Sequence, residues 1–213
     1  MTSLLELSKF IASFESSALG RWREVLPWEL TAQSSSVVRI LLAELAAREF
    51  VIAEEVAVHR TATVEPGSML KGPLVLGAGC FVAAGAYLRG GNWVAENCTF
   101  GPGAELKSSF VFAGTKLAHF NFVGDSLLGE NVNLEAGSIV CNYRNERTAK
   151  EVLVRLASGL HRTGVEKFGA VVGDGSRIGA NAVVAPGALL PPVSIVRRTE
   201  LCDQEASANE IRG

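Results

Sequence analysis

The chain has 213 residues, 48% of them hydrophobic, enough to bury a full core in one domain or in one domain with an appendage. A formal charge of −2 and a pI near 6.0 give no reason to expect nucleic acid or an anionic membrane as partner. Four cysteines, Cys80, Cys98, Cys141 and Cys202, lie without CxxC spacing, which argues against a zinc site or a disulfide framework and fits a reducing cytoplasm.

At the N-terminus, apolar residues recur at helical spacing with Glu6, Lys9 and Glu15 between them, so neither a signal peptide nor a membrane span is expected. Two amphipathic runs, LLELSKFIASF and SSSVVRILLAELAARE, predict a helical appendage over residues 1–48, with the serines of the second run as candidate helix caps.

From Val58 the pattern changes to a period of six. Val58, Val64, Leu70, Leu76, Val82, Leu88, Val94, Phe100, Leu106 and Phe112 share one phase, which returns at Phe122, Leu128, Leu134 and Val140 and again from Val172 to Val196. Small residues such as Cys80, Ala86, Cys98 and Ala104 recur four positions later. The pattern predicts an all-β solenoid of hexapeptide repeats over residues 49–197, with three hexads per coil and coils stacked as parallel strands. Parallel connections are generally right-handed, so the repeat alone does not give the hand. Between Phe112 and Phe122 the beat slips by four residues, and the slip holds His119; a bulge in the wall is expected there. Residues 141–170 leave the phase altogether, through a segment whose alternating EVLVRL can pair as a strand. Long excursions from a solenoid usually reach a binding face. Residues 198–213 read as a polar tail.

Candidate chemistry starts with three histidines. His59 directly follows an inward position and reads as a solvated turn residue, and His161 lies in the excursion. His119 is either a loop residue filling the bulge or a functional imidazole. Arg89 and Lys107 directly follow Leu88 and Leu106, which lie one 18-residue coil apart, so the two cations should stack on one edge of the prism. Together they form a phosphate clamp or two solvated surface cations. Glu105, beside Lys107 in sequence, is a candidate to orient a neighbouring histidine.

The segments LRGG, AELKSS, LAHFNFVGDSLLGENVNLEAGSIVCNYRN and EKFGAVVGDGSRIGANAVVAPGALL resemble the acetyltransferase domain of the bifunctional N-acetylglucosamine-1-phosphate uridylyltransferase/glucosamine-1-phosphate N-acetyltransferases. LPWEL and HRTGVEKFGAVVGDG bring the resemblance nearest to the archaeal-type sugar-1-phosphate nucleotidylyltransferase/acetyltransferases. It covers roughly residues 50 to 195. It implies a left-handed parallel β-helix, a homotrimer with sites between chains, and acetyl transfer from acetyl-CoA to the amine of a hexosamine 1-phosphate on the route to UDP-N-acetylhexosamine, with no metal. His119 would be the general base and Glu105 would polarise it. Arg89, Lys107 and Lys167 would hold the phosphate and neighbouring hydroxyls, Asn133 and Tyr143 would complete the sugar pocket, and Ala136, Asn142 and Ala180 would meet acetyl-CoA. Nothing in residues 1–48 matches the Gly-rich nucleotide loop of such proteins, so uridylyl transfer is not expected of this chain. Phe122 stands where the resemblance calls for tyrosine, which removes a hydroxyl expected near the sugar phosphate. The repeat also ends early, although Arg197 and Arg198 could meet the phosphates of CoA. Two other readings follow from these departures: an acyltransferase acting on another amino or hydroxyl sugar, and a non-catalytic sugar-phosphate-binding trimer.

Overall fold

A computed structural model describes residues 5–205. Its parallel strands stack as the three faces of a prism. Face 1 has eight strands, running from Phe50–Ala53 and Val56–His59 through Asn92–Val94, Phe110–Val111 and Leu127–Leu128 to Ala188–Leu190. Face 2 has seven, from Thr63–Val64 to Ile195–Val196, and face 3 has seven, from Met69–Leu70 to Leu201–Cys202. The first strand of face 1 runs antiparallel to the second and caps that edge. The last strand of face 3 pairs with Val183–Val184, so the solenoid continues beyond residue 197; residues 206–213 of the expected tail lie outside the described residues.

Inside the prism, Leu88, Val94, Phe100, Leu106, Val123 and Val140 are fully buried and form one continuous core with their neighbours above and below. Each such side chain removed from water contributes about 1.5–3 kcal/mol.

The register corrects the expected slip. Leu106 aligns with Leu88, 18 residues back, but with Val123, only 17 ahead, and the next coil, Val123 to Val140, repeats the shorter step. Two corners of one edge, at Ser108 and at Asp125, have each lost one residue. Both residues take the left-handed backbone conformation, with φ 49° and 47°. The inward residues are therefore Val111 and Val123, while Phe112 and Phe122 lie outside the prism. An apolar residue on each side of the true inward position let one larger slip at His119 mimic two small ones. His119 sits on no bulge: its carbonyl accepts the amide of Gly137, in the same corner ladder in which Phe120 N–H donates to Pro102 O and Asn181 N–H to Ala136 O.

The N-terminal segment is less helical than expected and more deeply engaged. Among the described residues, its first run holds only a 3₁₀ turn, Leu7–Lys9, and regular helix is confined to α1 (Pro27–Ala32) and α2 (Ser34–Glu44). Leu7, Ile11, Phe14, Trp28, Val38 and Leu41 bury face 1 in a second core with Phe110, Phe112 and Leu127. The serines opening α2 do not cap it. Ser34 and Ser35 instead aim their hydroxyls at Gly90 O on the solenoid, at 3.2 and 3.4 Å. A Cβ at Gly91 would stand 2.6 Å from the amide nitrogen of Ser35, so this corner must be glycine for the helix to rest there.

The excursion leaves at the same edge as the two shortened corners. It forms an antiparallel pair, Leu153–Leu156 with Gly159–Arg162, as the alternating EVLVRL predicts. Its foot is closed by Phe168 N–H to Asn142 O at 3.1 Å and Gly169 N–H to Asp125 O at 2.9 Å. Phe168 is fully buried against Trp28, ring centroids 5.9 Å apart, so the N-terminal segment props the excursion's return.

Candidate functional site on the third face

The outward row of face 3 contains Tyr87, Glu105, Phe122 and Ile139, in register on successive strands and all half-buried. Two residues further along the same strands, Arg89 and Lys107 stand side by side, as the 18-residue spacing predicts. Neither cation is free. The Nε of Arg89 donates to Glu105 Oε1 at 2.8 Å, and Lys107 Nζ lies 2.8 and 3.0 Å from the two oxygens of Asp125. Asp125 is nearly buried and also accepts from the side-chain amide of Asn142.

Gly124 shows how tightly this corner closes. The Nδ2 of Asn142 and the Cζ of Phe122 lie 2.7 and 2.9 Å from the point where its Cβ would stand. Lys107, Asp125, Asn142 and the tip of Phe122 therefore form one cluster. Lys107, Asp125 and Lys167 open onto a cleft of about 490 Å³ whose far wall is Ser34 and Ser35 of α2.

The opposite edge of face 3 carries His119, which is exposed and, among the described residues, has no hydrogen-bond or ion-pair partner for its ring. Ala136 and Ala180 continue its corner ladder coil by coil, and Arg198 follows them, since Thr199 N–H donates to Ala180 O. Arg198 folds back along this column onto Glu135, with Nε and Nη2 at 2.9 and 2.8 Å from its two oxygens. Glu135 also accepts the Ala180 amide, and the two contacts, Arg198 foremost, hold its carboxyl below the usual carboxylate range. Arg197 and Arg198 border a cleft of about 440 Å³ with Asn133, Arg177 and Ile195.

Most of the predicted residues thus fall into two groups, one at each edge of face 3. Arg89, Lys107, Phe122, Asn142 and Lys167 gather at one edge of face 3. His119, Ala136 and Ala180 line the other. Asn133 lies on face 2 and joins neither group within one chain. Tyr143 is half-buried at the excursion's foot, with Lys150 Nζ 5.3 Å from its ring centre. Glu105 departs from the expected role, because its carboxylate is engaged by Arg89 and makes no hydrogen bond with His119. Asn142 sits with the cations rather than on the alanine ladder where the acetyl-CoA contacts were expected. His59 bonds Thr61 and His161 packs on Trp28, outside both groups. Sequence reasoning missed Asp125 as a member, although the Gly-Asp step was in view. It also missed Lys71, which follows Leu70 on the coil below Arg89 and lies 5.3 Å from the ring centre of Tyr87.

No family model matches the chain. Its sequence is similar to the bifunctional protein GlmU of Carboxydothermus hydrogenoformans, 28% identical over 178 residues, covering 65% of this chain and 37% of that protein. It is 31% identical over 133 residues to a bifunctional sugar-1-phosphate nucleotidylyltransferase/acetyltransferase of Sulfurisphaera tokodaii, covering 62% and 33%. GlmU of Mycobacterium leprae is 40% identical over 133 residues, covering 59% and 26%. The chain spans between about a quarter and two fifths of these curated relatives. Bacterial and archaeal proteins match alike, so the likeness is not confined to the archaeal type. Among solved structures, a hexapeptide transferase family protein from Anaplasma phagocytophilum aligns with 18% identity and a TM-score of 0.35, covering 73% of this chain and 82% of that one. PerB from Caulobacter crescentus, in complex with CoA and GDP-perosamine, aligns with 18% identity and a TM-score of 0.31, covering 82% and 70%. This chain is a hexapeptide-type β-solenoid related in sequence to part of the bifunctional GlmU proteins.

Proposed function

We propose that the chain transfers an acyl group from a CoA thioester to the amine of a sugar that carries a phosphate. The observation that carries this reading is the layout of face 3, with an exposed imidazole, His119, unpartnered among the described residues, at one edge, stacked Arg89 and Lys107 at the other, and Phe122 between them. A sugar lying across the face would set its phosphate against the cations and its amine toward the imidazole. The amine nitrogen attacks the thioester carbonyl and the C–N bond forms. His119 takes the proton the nitrogen loses, and collapse of the tetrahedral oxyanion breaks the C–S bond, releasing the thiol once the sulfur is protonated. Arg89 and Lys107 would exchange part of their contact with Glu105 and Asp125 for phosphate oxygens.

The donor would run along the small residues Ala136 and Ala180, with Arg197 and Arg198 for its phosphates. Acetyl-CoA is the donor named by the resemblance, and a hexosamine 1-phosphate is the acceptor it names. One observation favours a sugar nucleotide instead: the cleft continues past Lys107 to Lys167 and α2, leaving room beyond a single phosphate. A homotrimer accounts for Asn133, which only a neighbouring chain's face 2 could bring toward face 3. Met69 and Leu201 on face 3 and Ile195 on face 2 are more than half exposed, as surfaces facing another chain would be.

Release of CoA, measured across glucosamine 1-phosphate, nucleotide-linked amino sugars and free amino sugars, tests the reading. Turnover confined to phosphate-bearing amines supports it, and the preferred member identifies the acceptor. Binding of those sugars without any CoA release identifies a non-catalytic binding protein and overturns it. Light scattering that finds a monomer at micromolar concentration removes the trimer.

A further inference from the structure

The residue after Tyr143 is an arginine, and it is buried. Arg144 is 2% exposed, an unusual place for a guanidinium unless most of its donors are met; here both Nη groups are met, while the buried Nε has no hydrogen-bond partner among the described residues. Its Nη1 and Nη2 grip both oxygens of Asp203 at 2.6 and 2.8 Å, Nη2 also donates to Pro186 O at 3.0 Å, and Glu205 Oε2 lies 3.0 Å from Nη2. Two further arginines of the excursion reach the same few residues. Arg147 pairs with Glu205, while Arg155 donates to the carbonyls of Gln204 and Glu205 at 2.6 and 3.0 Å. Gln204 is stitched to the solenoid through the amide and carbonyl of Leu189, at 2.8 and 2.9 Å.

Residues 203–205 therefore form a strap between the last coil and the excursion. A bidentate guanidinium–carboxylate pair fixes orientation as well as distance. Immediately before Arg144 stand Tyr143 and Asn142, and Asn142 O closes the excursion's foot on Phe168, the neighbour of Lys167. A flexible loop would present Asn142, Tyr143 and Lys167 over a wide range of positions. The strap removes that freedom from outside the site, before any ligand arrives.

We infer that Arg144, held by Asp203 and Glu205, is a positioning residue for the phosphate-sugar side of the site, acting through Asn142, Tyr143 and Lys167 without touching substrate. The inference rests on the proposed function for its kinetic consequence but not for its structural one, so the test has two arms on the full chain. In the first, backbone hydrogen exchange is compared between the native chain and Arg144→Met. Exchange should rise at least tenfold at residues 141–143 and 165–169, with rungs such as 105–107 and 122–124 unchanged. Unchanged exchange at the foot overturns the inference, and so does a uniform rise along the whole solenoid, which would mean a general loss of stability. In the second, the KM of the phosphate-bearing amino sugar that the native chain turns over should rise about tenfold in Arg144→Met. The KM of acetyl-CoA should stay within twofold and kcat should hold, with Arg144→Lys intermediate because it keeps the charge but not the fork. Equal changes in both KM values overturn the positioning role. Should the native chain turn over no such sugar, the proposed function fails, and the exchange arm alone decides for or against the strap. Glu205→Gln, which leaves the Asp203 fork intact, provides a milder variant if Arg144→Met does not fold; it should give the same localised exchange at smaller amplitude, and its absence counts against the inference.

Discussion

Lys107 and Asp125 face each other across two stacked corners, each of which is the αL-containing turn where a coil has lost one residue. The shortening sets the ammonium 2.8 Å from a carboxylate only 7% exposed. Lys107→Met leaves that carboxylate with only the Asn142 amide, so it should lower stability by about 3–5 kcal/mol, the usual cost of orphaning a buried partner. Asp125→Asn in the same chain should recover a large part. A double-mutant cycle in urea checks this, and simple additivity would show that the pair is not coupled.

His119 should behave oppositely. It is exposed and contributes nothing to either core, so His119→Ala should change stability by at most about 0.5 kcal/mol. Turnover should fall by about 10² or more, with acceptor KM nearly unchanged, because proton removal belongs to the transition state. A variant with full turnover makes His119 an ordinary corner residue.

These two residues also show what the sequence can and cannot display. The period of six identifies the solenoid, and the 18-residue spacing stacks Arg89 on Lys107 as observed. The period does not reveal where a coil shortens, because Val111–Phe112 and Phe122–Val123 offer two apolar residues for one inward position. It also does not reveal charge partners. Glu105 is only two residues from Lys107 in the chain but is bound by Arg89 on the coil below, and Asp125, the actual partner of Lys107, lies 18 residues away. The N-terminal segment was legible as apolar but not as a wrap, since its pattern is completed only by the outward residues of face 1.

Glu135 gives a pH-sensitive element to the column of Ala136 and Ala180, which we propose meets the acyl donor. Its carboxyl is held below its ordinary range by Arg198 and by the Ala180 amide. A depressed folded value contributes stability that is complete above the unfolded value near 4.3 and is lost as pH falls through the folded one. At neutral pH the contact is therefore fully made. Arg198→Ala should move the Glu135 titration upward toward the ordinary range, read by carboxyl NMR, and should weaken acetyl-CoA binding in calorimetry. An unmoved titration would mean that the Ala180 amide alone sets it.

Trp28 links the N-terminal wrap to the site. It is 1% exposed and lies edge-on to Phe168, beside Lys167. Trp28→Ala should cost about 3–5 kcal/mol in urea unfolding, as for other buried aromatic truncations. Trp28→Phe should cost less and spare acceptor KM, because it keeps a ring against Phe168. If Trp28→Ala unfolded at the native midpoint, the second core would be dispensable.

Phe122 offers the sharpest test of where the sugar phosphate lies. Its Cζ and the Asn142 amide both approach the empty Cβ position of Gly124, and Asn142 in turn bonds Asp125 beside Lys107. A hydroxyl added at Cζ would project into this polar cluster, where it can donate to Asp125 or to a phosphate oxygen. Phe122→Tyr changes no buried apolar contact of the inner core, since Val123 is the inward residue, so stability should stay within about 0.5 kcal/mol. If the phosphate rests against Lys107, the added donor should tighten it by one hydrogen bond to a charged group, about 1.5–3 kcal/mol at most and less once water competes. The acceptor KM should then fall about three- to tenfold while acetyl-CoA KM holds. Should Phe122→Tyr leave the acceptor KM unchanged, and Lys107→Met leave it unchanged as well, the phosphate does not lie at this edge of face 3, and the cations are there to close the shortened corners.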